Sequence, residues 1–139
     1  MTATVALVTG ASRGIGRAIA MELTRQGMTV IGTATSESGA ASITEAIKAA
    51  GGAGWGAALD VRDAAGVDAL LTDIETKTGS AITVLVNNAG ITRDTLAMRM
   101  KDEDWDDVLD TNLKSVFRMC RAVMRGMMKA RTGRIVNIT

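Results

Sequence analysis

The segment TGASRGIG, residues 9–16, joins a short apolar run directly to a stretch of helical period, and no other feature constrains the fold as much. The apolar run at residues 4–8 has the length of a strand. From residue 14 to residue 25, Ile15, Ile19 and Leu23 recur at i, i+4 and i+8, which is the spacing of one helical face. A strand that turns through glycines into a helix is the first part of a βαβ unit, and the chain repeats that alternation to its end. Gly27 ends the first helix as a left-handed cap.

A second strand is expected at 29–33, followed by a helix carrying Ile43 and Ile47 and closed by Gly51 and Gly52. A third strand at 56–61 leads to Asp63, placed to cap a helix whose Val67, Leu70, Leu71 and Ile74 share a face. The fourth strand, 82–86, is almost wholly apolar, as a central strand buried on both faces should be. Residues 101–131 read as one long helix with a bend, its apolar stripe running through Trp105, Val108, Leu109, Leu113, Val116, Phe117, Cys120, Val123, Met124, Met127 and Met128. Gly133 opens the turn into a fifth strand at 134–139. The expected fold is α/β, a Rossmann-type doubly wound parallel sheet truncated after its fifth strand. Residues 1–139 would form one dinucleotide-binding domain that lacks its catalytic and substrate-binding remainder.

Composition removes several function classes. With 47% hydrophobic residues the chain can bury a core, and 16 basic against 15 acidic residues leave no global field for nucleic acid or an anionic membrane. There is no histidine and one cysteine, Cys120, so neither a zinc site nor a histidine-based triad nor an internal disulfide is expected, and no metal. Without tyrosine or proline, and with one Phe and two Trp, the chain has no aromatic platform for single-stranded nucleic acid. The first four residues carry no basic region and the apolar run after them is too short to span a bilayer, so a cytoplasmic protein is expected.

The glycine spacing has a chemical reason. Gly10 permits the tight turn off the strand, Gly14 lets backbone approach a pyrophosphate, and Gly16 lets the helix pack close to the sheet, while the helix N-terminus offers N–H groups and a positive dipole end. A Walker-type loop does not fit, because no Lys-Ser/Thr pair follows. The spacing TGxxxGxG resembles that of the short-chain dehydrogenase/reductase family, and further matches follow in that family's order: Asp60-Val61, then Asn87-Asn88-Ala89-Gly90, then Asn112. Together they span the chain. The resemblance implies that Gly10, Ala11, Ser12, Arg13, Gly14, Ile15 and Gly16 cradle the cofactor phosphates and that Asp60 and Val61 flank the adenine. It also implies that Asn88, Ala89 and Gly90 border the riboses, and that Asn112 is a catalytic residue, the first of an Asn-Ser-Tyr-Lys tetrad, holding a water in the proton relay. Read from spacing alone, Asn112 falls on the buried stripe, where an amide must find a partner such as a backbone carbonyl and can bend the helix. The two readings are compatible.

Cofactor choice is read at the end of strand two, where NAD-binding domains usually place an acid on the ribose 2′-hydroxyl. Here Thr33, Ala34 and Thr35 stand at that corner, while Glu37 nearby could still read a ribose. With Arg13 in the glycine loop and Thr35 at the end of strand two, a 2′-phosphate would meet a guanidinium and hydroxyls, so NADP(H) is expected over NAD(H). The stretches ITRD (91–94), LAMRMKDEDWDDVLDTNL (96–113) and GRIVNIT (133–139) are similar to those of family members that reduce 3-oxoacyl thioesters on acyl carrier protein in fatty-acid synthesis. Acetoacetyl-CoA reductases share much of this, and a sugar, steroid or quinone substrate and a non-catalytic nucleotide-binding fragment stay open as alternatives. Arg118, Arg121, Arg125, Lys129 and Arg131 could meet an acidic carrier protein, the resemblance favouring Arg131 with Lys129 beside it, or could form a solvated helix face. Met119, Met124, Met127 and Met128 read as core or subunit interface. The breadth of the apolar stripe points to a homo-oligomer, and the resemblance to a tetramer. Since the family's serine, tyrosine and lysine would fall after Thr139, these 139 residues alone are expected to be inactive.

Overall fold

The computed structural model describes residues 3–91 and 96–139. Thr92, Arg93 and Asp94 of the ITRD match lie outside the described residues. Five strands, β1 (Val5–Val8), β2 (Thr29–Ala34), β3 (Trp55–Ala58), β4 (Ile82–Asn87) and β5 (Arg134–Asn137), form one parallel sheet in the order β3-β2-β1-β4-β5. The chain starts at the centre, winds outward to β3, then crosses back to β4 and β5. That reversal between β1 and β4 makes the sheet doubly wound, and ligands of such sheets bind beyond the carboxyl ends of the strands at the reversal.

Alternation within β1 explains the two cores. Val5 and Leu7 face Val67, Leu71 and Ile74 of α3 (Ala64–Thr78) and Met119, Val123 and Met127 of α5 (Ser115–Ala130). Ala6 and Val8 face Ala20 of α1 (Gly14–Arg25) and Ile43 and Ile47 of α2 (Glu37–Ala49). All four β1 residues are buried, as a central parallel strand covered on both faces requires. Each fully buried aliphatic side chain contributes roughly 1.5–3 kcal/mol.

Helix ends follow their local chemistry. Ser36 caps α2 by accepting from the Gly39 N–H at 3.1 Å, and Asp63 caps α3 by accepting from the Gly66 N–H at 3.1 Å. Gly27, with φ of +89°, takes the chain out of α1 in the left-handed region. Strand β3 ends three residues before the expected boundary. Its ladder closes with the Leu59 N–H on the Ala34 carbonyl at 2.8 Å, and the Asp63 N–H on the Asp60 carbonyl then turns the chain toward α3.

The long helix departs most from expectation. It comprises α4 (Asp102–Leu109), a π turn (Asp110–Lys114) and α5, preceded by a short 3₁₀ turn at Ala97–Arg99. The π turn changes the winding, so the sheet-facing positions are Thr111, Ser115, Met119, Val123 and Met127, while Trp105, Leu109, Leu113, Phe117, Met124 and Met128 are exposed. The expected stripe holds only in part, and Asn112 is exposed, not buried.

Candidate functional site

A cleft of about 590 Å³ opens beyond the carboxyl ends of β1 to β4. Thr9, buried at the end of β1, builds its floor: its hydroxyl accepts from the Asn88 and Ala89 N–H groups, each at 3.0 Å. The Asn88 side chain donates to the Gly10 carbonyl at 3.0 Å, and Asn87 donates to the Asn137 side chain at 2.9 Å. The paired asparagines thus bridge strand ends. Gly10 has φ of +64°, and a Cβ there would stand 2.9 Å from the Ala89 Cα. At Gly16 a Cβ would lie 2.0 Å from the Gly10 carbonyl oxygen and 2.4 Å from the Asn88 amide nitrogen, so the helix approaches the loop to glycine distance.

The first turn of α1 faces this cleft without a side-chain cap. Arg13 occupies the cap position, makes no capping bond, and no acid stands in the turn. The contrast with Ser36 and Asp63 is chemical: here the helix leaves its N–H groups and positive dipole end to whatever enters the cleft. Ala11 holds the loop to β2, its N–H bonding the Thr33 carbonyl at 2.8 Å, and the Gly10 N–H meets the Thr33 hydroxyl at 3.3 Å.

Across the cleft, Asp60 is engaged by Arg62. Its carboxylate accepts from the Arg62 backbone at 2.9 Å and from Nε and Nη2 at 3.1 and 3.0 Å, which holds Asp60 below the usual carboxylate range. Arg62 also reaches Asp107 of α4 at 3.5 Å. Arg118, its side chain 12% exposed, donates to the Val61 carbonyl at 2.7 Å and pairs with Asp110 at 3.7 Å. Arg118 therefore belongs neither to a solvated face nor to a docking surface: it clips the loop after β3 to the π turn. Asn112 clips the loop after β4, accepting from the Ile91 N–H and donating to the Ile91 carbonyl, both at 2.8 Å. The amide is satisfied, as foreseen, but on the exposed side of the helix.

Of the residues singled out from sequence, Gly10, Ser12, Arg13, Gly14, Ile15, Thr35, Asp60, Val61, Asn88, Ala89 and Gly90 line the one cleft. Ala11, Gly16 and Asn112 stand behind its wall. Leu59, Arg62, Ile91 and Thr111 also line it and were missed. Arg62 had a signal, since a cation two residues from Asp60 can fold back on it; Thr111 had none, because its exposure to the cleft depends on the π turn.

The model of the family described as short chain dehydrogenase matches residues 4–139. The chain belongs to the short chain dehydrogenase family. Among its relatives, it is 59% identical over 134 residues to the 3-oxoacyl-[acyl-carrier-protein] reductase FabG of Vibrio harveyi, covering 96% of this chain and 53% of that protein. The protein of the same name from Pseudomonas aeruginosa is 59% identical, with 96% and 54% covered, and that of Escherichia coli K12 57%, with 96% and 53% covered. The chain thus spans about half the length of the curated relatives it matches, 53% in the case of the Vibrio protein. Among the described residues no helix is long and apolar enough to cross a membrane.

Proposed function

We propose that this short chain dehydrogenase binds NADP(H) in preference to NAD(H) and serves the reduction of 3-oxoacyl thioesters on acyl carrier protein to 3-hydroxyacyl thioesters, in the cytoplasm. The observation that carries the reading is the uncapped α1 N-terminus at a cleft whose β2 corner is Thr33, Ala34 and Thr35, with Arg13 in the wall and no carboxylate at that corner. These residues fit the group: backbone N–H groups for the pyrophosphate, a guanidinium and a threonine hydroxyl for a 2′-phosphate. Asp60 and Val61 would flank the adenine, and Asn88, Ala89 and Gly90 the riboses. When bound, the nicotinamide supplies the hydride.

The chain's own residues position and exclude. Asn112 would hold the loop after β4 through both polar groups of Ile91 and, by family likeness, order the proton relay beside it. An alkoxide formed on hydride transfer needs a proton donor, and this chain has no tyrosine to supply it. Residues 1–139 are therefore read as the dinucleotide-binding part, inactive alone. Similarity to reductases named for acyl carrier protein supports that carrier over CoA, with exposed Arg131 and Lys129 as its contacts.

The test is cofactor binding and turnover by the full-length protein with acetoacetyl thioesters. Arg13→Ala should weaken NADPH roughly 10- to 100-fold, the worth of a charge-assisted bond, and NADH far less. Equal losses would sink the cofactor assignment. Turnover by residues 1–139 at the rate of the full-length protein would overturn the account of the proton donor.

A further inference from the structure

Thr111 lies in the π turn, lines the cleft and is 7% exposed. Among the described residues, its hydroxyl is a buried side-chain polar atom without a hydrogen-bond partner. Threonines in helices ordinarily turn the hydroxyl onto the carbonyl four residues back. Four others here do so: Thr24 on Ala20 at 2.8 Å, Thr44 on Ala40 at 3.2 Å, Thr76 on Thr72 at 2.8 Å and Thr78 on Ile74 at 2.8 Å. Ser115, one turn on, bonds the carbonyl of Thr111 itself. At Thr111, where the winding widens, that local acceptor is left unused and the hydroxyl is buried, whereas Thr72 of α3, which also leaves it unused, is exposed to water.

A hydroxyl taken out of water without a partner is costly, and Thr111 lines the ligand cleft, so a turn about its Cα–Cβ bond that brought the hydroxyl to a ligand there would relieve that cost. We propose that the Thr111 hydroxyl hydrogen-bonds the adenosine half of the bound nucleotide and so contributes to its recognition. The inference rests on the reading of the cleft as a nucleotide site. The side of the ligand follows from the clip described above: Arg118 ties Asp110, the neighbour of Thr111, to the carbonyl of Val61, on the wall that would meet the base. A hydroxyl both donates and accepts, so it can serve a ring nitrogen or a ribose hydroxyl without a change of charge. A valine of the same shape could serve neither.

The experiment compares Thr111→Val and Thr111→Ser with the wild type in the full-length protein. NADPH binding is followed by its fluorescence, adenosine 2′,5′-bisphosphate and nicotinamide mononucleotide by competition, and heat stability is measured without nucleotide. Valine should weaken NADPH and the bisphosphate about five- to tenfold, one neutral hydrogen bond, while the free protein melts at the same temperature or higher because the unpartnered hydroxyl is gone. Serine should bind nearly as wild type. A structural role would instead lower the melting temperature of the free valine variant. The inference is overturned if valine binds like wild type, if serine loses as much as valine, or if only the mononucleotide is affected. Should the wild type bind neither NADPH nor the bisphosphate, the nucleotide reading falls and takes the inference with it.

Discussion

Gly16 and Gly14 sit two residues apart in the same loop, yet the structure requires glycine at each for a different reason. At Gly16 the obstacle is backbone: an added Cβ would lie 2.0 Å from the Gly10 carbonyl oxygen, which cannot swing away as a side chain could. At Gly14 the space is open and the obstacle is a φ of +62°. Gly14→Ala should therefore cost about 1–2 kcal/mol, the left-handed penalty. Gly16→Ala should cost more, at or above the roughly 1–3 kcal/mol of overpacking, and should displace Asn88 and Gly10 from the cleft floor. Denaturant unfolding and NADPH titration of both variants check this; equal losses in stability would mean that the loop yields at Gly16. Spacing identified both glycines, but which one meets a steric wall is set by how the loop closes, with the Gly10 carbonyl first against Gly16 and the Asn88 amide that bonds it next.

At the scale of elements, the joint between α4 and α5 organises the site. Arg62 and Arg118 both connect the loop after β3 to this joint, but in different surroundings. Arg62 is 40% exposed and its pairs are screened by solvent, whereas Arg118 is 12% exposed and bonds a backbone carbonyl. Arg118→Met keeps much of the packing of the stem and removes the donor. It should cost about 1–3 kcal/mol of stability and loosen nucleotide binding, while Arg62→Ala should cost less, its pairs being exposed to solvent. Unfolding curves for the two variants decide between them, and the reverse order would show that the exposed pair carries the clip. Strand and helix types were legible from period alone. The joint was not, because a periodic reading assumes constant winding and the π turn breaks it.

On the scale of the whole molecule, the helical run 102–130 leaves Trp105, Leu109, Leu113, Phe117, Met124 and Met128 exposed. Its first half is acidic through Asp102, Glu103 and Asp106, and its second half basic through Arg121, Arg125 and Lys129. Two copies laid antiparallel would bury the apolar row and set acids against bases, which suits the homo-oligomer expected from the sequence. Phe117→Glu combined with Leu113→Glu should lower the assembly state in light scattering at micromolar concentration without unfolding the chain, since both side chains lie outside the core. An unchanged mass would reject this face as the interface.

By itself the sequence determined the alternation of strands and helices, the caps at Asp63 and Gly27, and the glycine loop at the end of β1. Those depend on neighbours within a few residues, and local chemistry suffices for them. It also contained, in order, most of the residues that line the cleft. Only tertiary structure decided that Asn112 faces outward, that Arg118 is committed to Val61 and Asp110, and that Thr111 reaches the cleft with its hydroxyl unpartnered. Each depends on how the long helix winds against a sheet built from distant segments, and a helix's buried face is set by its neighbours as well as by its own period.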